Sequence, residues 1–124
     1  MITKPVAQLL LSNYDDALKD NIRRQKSYVD TLKSDLLKAE AVEARAKYAM
    51  ERILAAAKMK PGPGILALVE RAQKNHNEAQ QKLRQHQETY DNQNSILENL
   101  EAECEKGEQF QEVVSHRWPP NPRP

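Results

Sequence analysis

The sequence predicts an all-α protein: a long antiparallel coiled-coil helical hairpin, packed into a dimer or larger helical assembly and ending in an extended Pro-rich tail. Three observations carry this expectation. Apart from Gly107, glycine and proline fall only near the start, the middle and the end of the chain. Apolar residues recur at heptad steps through the two segments between those breaks, and basic and acidic residues segregate onto opposite segments.

At the start, Pro5 occupies a place where a helix tolerates proline, because first-turn N–H groups have no intrahelical partner to lose. Ser12 followed by Asp15 resembles a capping box with Asp in place of Glu. A short helix over about 5–11 is therefore expected to bend into arm one, about 13–59. That arm contains neither proline nor glycine and is rich in Ala, Leu, Glu, Lys, Gln and Arg, the strong helix formers. Alternating steps of four and three run along it from Leu18, Ile22 and Gln25 through Val29, Leu36 and Glu43 to Ile53 and Ala57.

Lys60-Pro61-Gly62-Pro63-Gly64 stops the first helix and predicts a turn over 60–64. Arm two, about 65–114, keeps the same stepping from Ile65, Val69 and Ala72 through His76, His86 and Leu97 to Cys104, Gly107, Gln111 and Val114. The hairpin thus occupies 1–115. The tail, 116–124, carries four prolines after Trp118 and favours extended polyproline conformations.

Reversal at the turn brings stepped residues opposite one another, the numbers of each pair adding to 122: Ala57 with Ile65, Leu36 with His86, Leu18 with Cys104. Residues 1–60 carry 12 basic and 8 acidic side chains, whereas residues 61–124 carry 7 basic and 10 acidic. In this register Lys19 comes near Glu103 and Arg24 near Glu98, so charge selects register and partner more than it adds stability. One such seam buries a narrow stripe of each arm. Leu37, Tyr48 and Leu54 recur on one side of arm one and, with Val42, suggest a second stripe that a dimer or another protein would cover.

Composition excludes several classes of work. With one Phe, one Trp and four Tyr in 124 residues, a wide multilayered core is not expected. The longest apolar runs fall far short of the roughly 20 residues of a membrane span, and no basic n-region leads into an apolar h-region. A cytoplasmic setting, or a nuclear one, follows as the default. One cysteine makes neither an intramolecular disulfide nor a Cys-based zinc site. The chain lacks G-x-S-x-G, a Walker loop, H-E-x-x-H and C-x-x-C. His76 and His86 lie ten residues apart, about 15 Å along a helix, too far to share an ion. Glu43, one layer from His76 across the seam, forms a candidate polar pair with it instead. Cys104 reads as a small seam hydrophobe whose acidic neighbours raise its thiol pKa. No enzyme activity, catalytic residue, metal or cofactor is expected.

Three segments remain as candidate contacts. At the tip, Lys58, Met59, Lys60, Ile65 and Leu66 combine positive charge with apolar surface, as a docking knob would. In the tail, Pro119 and Pro122 have P-x-x-P spacing, Trp118 offers an aromatic anchor and Arg123 a charge. Arg23, Arg24 and Lys26 form a basic run able to meet an anionic partner, although a pI near 7.8 lacks the strongly basic signature of a phosphate-tracking surface. The chain accordingly reads as a noncatalytic interaction or adaptor protein, a rigid hairpin presenting its ends to another protein or to itself, with no membrane role. The alternative is a small inhibitor or nucleic-acid-associated factor that occludes a macromolecular site with its charged arms.

Overall fold

Helix α1 runs from Lys4 to Met59 and helix α2 from Pro63 to His116 in a computed structural model of the chain, which describes residues 3–116. The two helices pack against each other as a helical hairpin requires, and no strand occurs among the described residues. The tail residues Trp118, Pro119, Pro122 and Arg123 lie outside the described residues, as do the side chains of the last two stepped positions, Gln111 and Val114.

Both helix starts follow from local chemistry. The Thr3 carbonyl accepts the first intrahelical bond from the Ala7 N–H at 2.9 Å, which makes Thr3 the N-cap and leaves Pro5 inside the first turn. At the other start, the Gly62 carbonyl accepts from the Leu66 N–H at 3.1 Å. Pro63 is then the first helical residue, where its fixed φ is already helical. The connection is therefore 60–62 rather than the expected 60–64, and the second helix begins at Pro63 rather than near residue 65. Lys58 lies in the last turn of α1, where a cation complements the helix dipole.

The expected boundary between a short helix over 5–11 and a second one from residue 13 is absent, because α1 passes through Ser12 unbroken. Asp15 does not cap. It is a seam residue, buried, with Oδ2 bridged to Lys19 Nζ at 3.0 Å and Oδ1 without a hydrogen-bond partner. Leu11, Asp15 and Leu18 simply continue the four-and-three stepping upstream.

Burial follows that stepping. In α1 every stepped position from Leu11 to Ala57 is buried or half-buried, and in α2 so is every one from Ile65 to Gly107. The chain forms two compact units: the described parts of Met1–Val29 and Gln93–Pro124 make one, and Asp30–Asn92 makes the other. In the first, Leu18, Val29 and Leu97 are buried, and Gln25 Nε2 donates to the Gln93 carbonyl at 2.8 Å and to its Oε1 at 3.0 Å. In the second, Leu36, Ala72 and Ala79 are buried, as is His76, whose Nε2 lies 2.8 Å from Glu43 Oε1. Each large apolar side chain so buried is worth about 1.5–3 kcal/mol. Four of them, Leu18, Val29, Leu36 and Leu97, carry the fully buried core with three alanines.

The cross-helix ion pairs expected from charge segregation do not form. Lys19 bridges Asp15, and Arg24 bridges Asp20, each four residues away on its own helix. Glu103 instead accepts a hydrogen bond from the Tyr14 hydroxyl at 3.0 Å, and Glu98 one from Asn94 at 3.2 Å. The physical reason is proximity: a partner one turn away on the same helix is within reach before any second helix docks.

Candidate interaction surfaces

At the tip, Met59 is 89% exposed and Leu66 56% exposed, while Lys58 and Lys60 also face solvent. Ile65 differs from the rest of the expected knob. It is half-buried and lines a hollow with Ile53 and Ala56, so it belongs to the helix-helix contact more than to the exposed tip.

The basic run is partly spoken for. Arg24 and Arg23 both engage Asp20, Arg23 at 3.8 Å, and the Arg24 guanidinium holds the Asp20 carboxyl below the usual carboxylate range. Lys26 is exposed. A phosphate approaching this run would compete with a carboxylate already in place.

Polar groups on the seam serve the fold. His76 is 7% exposed, and the Glu43 side chain 20%, so this pair is largely out of water. The Tyr14 hydroxyl is pushed above its ordinary pKa, first by donating to Glu103 and second by that carboxylate's charge. Asp15 likewise holds the Lys19 ammonium above its ordinary value, by hydrogen bond and then by charge. Cys104 is a free, half-buried thiol. Burial, then the charges of Glu108 and Asp15, raise its pKa, the expected direction with different neighbours from the Glu103 and Glu105 that flank it in sequence. A raised thiol pKa lowers the thiolate population and disfavours nucleophilic work.

Among the described residues no group of three or more His, Cys, Asp or Glu is arranged to hold a metal ion, and no helix is long and apolar enough to cross a membrane. The hollows along the helices are open grooves. One in the Asp30–Asn92 unit has about 310 Å³ of space lined by Ala39, Val42 and Ala79, with Asp35, Lys38 and Lys82 around it. A second in the same unit, of about 340 Å³, is lined by Ala49, Arg52, Ile53, Ala56 and Ile65.

Thirteen large apolar side chains are exposed among the described residues, more than are buried. The second stripe expected from Leu37, Tyr48, Leu54 and Val42 is not one face: counted in heptads from the seam, the four occupy four different columns, and Leu54 is half-buried. A column that sequence reasoning missed lies one residue before every other seam position. In α1 it holds Tyr14, Asn21, Tyr28, Asp35, Val42, Ala49 and Ala56, and reading every seventh residue reveals it. Comparison with protein-family models, with curated proteins and with solved structures yields no match.

Proposed function

We propose that this chain is a noncatalytic interaction protein, a coiled-coil hairpin that acts as a rigid adaptor or scaffold by presenting apolar surface to another protein or to a second copy of itself. The observation that supports the reading is the imbalance just described: thirteen large apolar side chains face solvent against four large ones fully buried. Scattered apolar residues are ordinary on a surface, but a molecule that exposes thirteen large ones, with eleven half-buried and four fully buried, gains stability from a partner that covers them. The tip around Met59 and Leu66 is the first contact under this reading, and the tail around Trp118 the second. A cytoplasmic setting suits it, since Cys104 is a single free thiol.

The alternative, a small inhibitor or nucleic-acid-associated factor working through Arg23, Arg24 and Lys26, is less well supported because Asp20 already pairs with Arg23 and Arg24 and offsets part of their charge. Crosslinking coupled to mass spectrometry on the intact chain in its native host separates the two. Met59→Glu with Leu66→Glu should shed the crosslinked partner, and charge reversal at Arg23, Arg24 and Lys26 should not. The opposite pattern would favour the alternative. Sedimentation equilibrium is expected to give a mass above one hairpin at micromolar concentration; a single-hairpin mass there would exclude the self-assembly branch.

A further inference from the structure

The two grooves in the Asp30–Asn92 unit share one side of α1. Their residues Ala39, Val42, Ala49, Ile53 and Ala56 follow one another at helical spacing, so the hollows form successive parts of one apolar track. Ala39 and Ile53 are separated by about 21 Å along the axis, roughly four turns. Small floor residues matter here: alanines at the base of a groove let a third backbone approach closely.

The rim is cationic and unpaired. Lys38 and Lys82 border the first hollow and Arg52 the second, while Arg45 lies one turn from Val42 and Ala49 on the same side of α1. Among the described residues none of these four cations has a carboxylate within ion-pair distance. Arg45 Nε donates only to the Ala41 carbonyl, at 3.3 Å, and Arg52 lies over the Tyr48 ring at 5.7 Å. Asp35 is the one acidic residue bordering either hollow.

We infer that this track is a docking groove for an acidic amphipathic helix of another protein. The inference rests on the reading of the chain as an interaction protein and names the chemistry of its partner. The partner's apolar face, repeating at i, i+3 or i+4 and i+7, enters the alanine-floored track, and its carboxylates meet Lys38, Arg45, Arg52 and Lys82. A second copy of this chain fits less well, because pairing like track with like track sets the same cations against each other. A bilayer calls for large protruding apolar residues, and this track is floored mostly by alanine. A phosphate backbone gains nothing from an alanine and valine floor.

Fluorescence anisotropy of the intact protein tests this with three labelled helical peptides: one with leucines at i, i+4 and i+7 and glutamates elsewhere, the same leucines with lysines, and the glutamate peptide with its leucines scrambled. The first alone is expected to bind, more weakly as salt is raised. Arg45→Glu with Arg52→Glu, Lys38→Glu with Lys82→Glu, and Ala49→Trp, which blocks the track without touching charge, should each weaken it roughly tenfold or more. Circular dichroism melting is expected to show each variant folded, and the two charge pairs serve as independent variants should one fail. Equal binding of the lysine or scrambled peptide, indifference to all three variants, or preference for anionic vesicles or duplex DNA over the glutamate peptide would overturn the inference. Should the glutamate peptide fail to bind while the Met59 and Leu66 variant still sheds its crosslinked partner, the groove assignment is wrong and the adaptor reading stands. Should both fail, both fall.

Discussion

The Glu43–His76 contact gives the sharpest test of how the seam is held. It joins the two helices at 2.8 Å, with the His76 side chain 9% and the Glu43 side chain 20% exposed. Replacing one partner with leucine leaves the other in a mostly dry setting, and an unsatisfied buried polar group costs about 1–3 kcal/mol. Glu43→Leu strands the more buried His76 and should cost about 2 kcal/mol. His76→Leu leaves Glu43 some access to water and should cost about 1 kcal/mol. The double variant strands neither group and adds two apolar side chains to the seam, so it should match or exceed the wild type, as replacements of buried ion pairs often do. The coupling read from the cycle is then about 3 kcal/mol or more in magnitude. Urea unfolding at fixed protein concentration, followed by circular dichroism, supplies the four free energies. A coupling within about 0.3 kcal/mol of zero, or a double variant less stable than both singles, would refute the claim that the two side chains satisfy each other.

Gly107→Ala should raise stability by about 0.5–1 kcal/mol, since this glycine lies inside α2 and an added Cβ would meet no atom within 4 Å; no gain in urea midpoint counts against it. Leu36→Ala, at a fully buried seam position, should cost about 2–5 kcal/mol by the same measurement. Asp15→Leu should stabilise, because one carboxylate oxygen is buried without a partner and the lost Lys19 bridge is half in solvent; a drop in stability would show that bridge to matter more than the orphaned atom. Tyr14 should ionise above the ordinary tyrosine value of 10.0, and Glu103→Gln should bring the phenolate absorbance change back down. Because the folded-state pKa is raised, the stability this bond contributes is complete below that ordinary value and is lost as pH rises through the higher folded one.

Much of the fold was legible because the heptad step is geometric: a helix that buries one stripe must repeat its apolar residues at that spacing, whatever its surroundings. Leu18, Val29, Leu36, Ala72, Ala79 and Leu97 were all picked out by stepping and all are buried. The misreadings have equally local causes. Ser12 and Asp15 at a spacing of three suit a cap, yet Asp15 also falls on the seam phase, and the continuous backbone bonds of α1 won. Pro63 suits a turn, but its fixed φ suits the first position of a helix just as well. Register and sign match Lys19 and Arg24 to the far arm, but Asp15 and Asp20 stand one turn away on their own helix.

A cation on a helix pairs first with carboxylates three or four residues away. Arg24 has Asp20 at that distance and Lys19 has Asp15, and both bridges form. Arg45 has Ala41, Val42, Tyr48 and Ala49 in those places, and Arg52 has Tyr48, Ala49, Ala55 and Ala56. No local carboxylate is available to either, and neither is ion-paired. The same alanines that deny these arginines a partner form part of the groove floor beside Arg52. For these two arginines, unpaired charge and apolar track are therefore two consequences of one stretch of sequence, whereas Lys38 and Lys82 are unpaired although Asp35 and Glu78 lie three and four residues away.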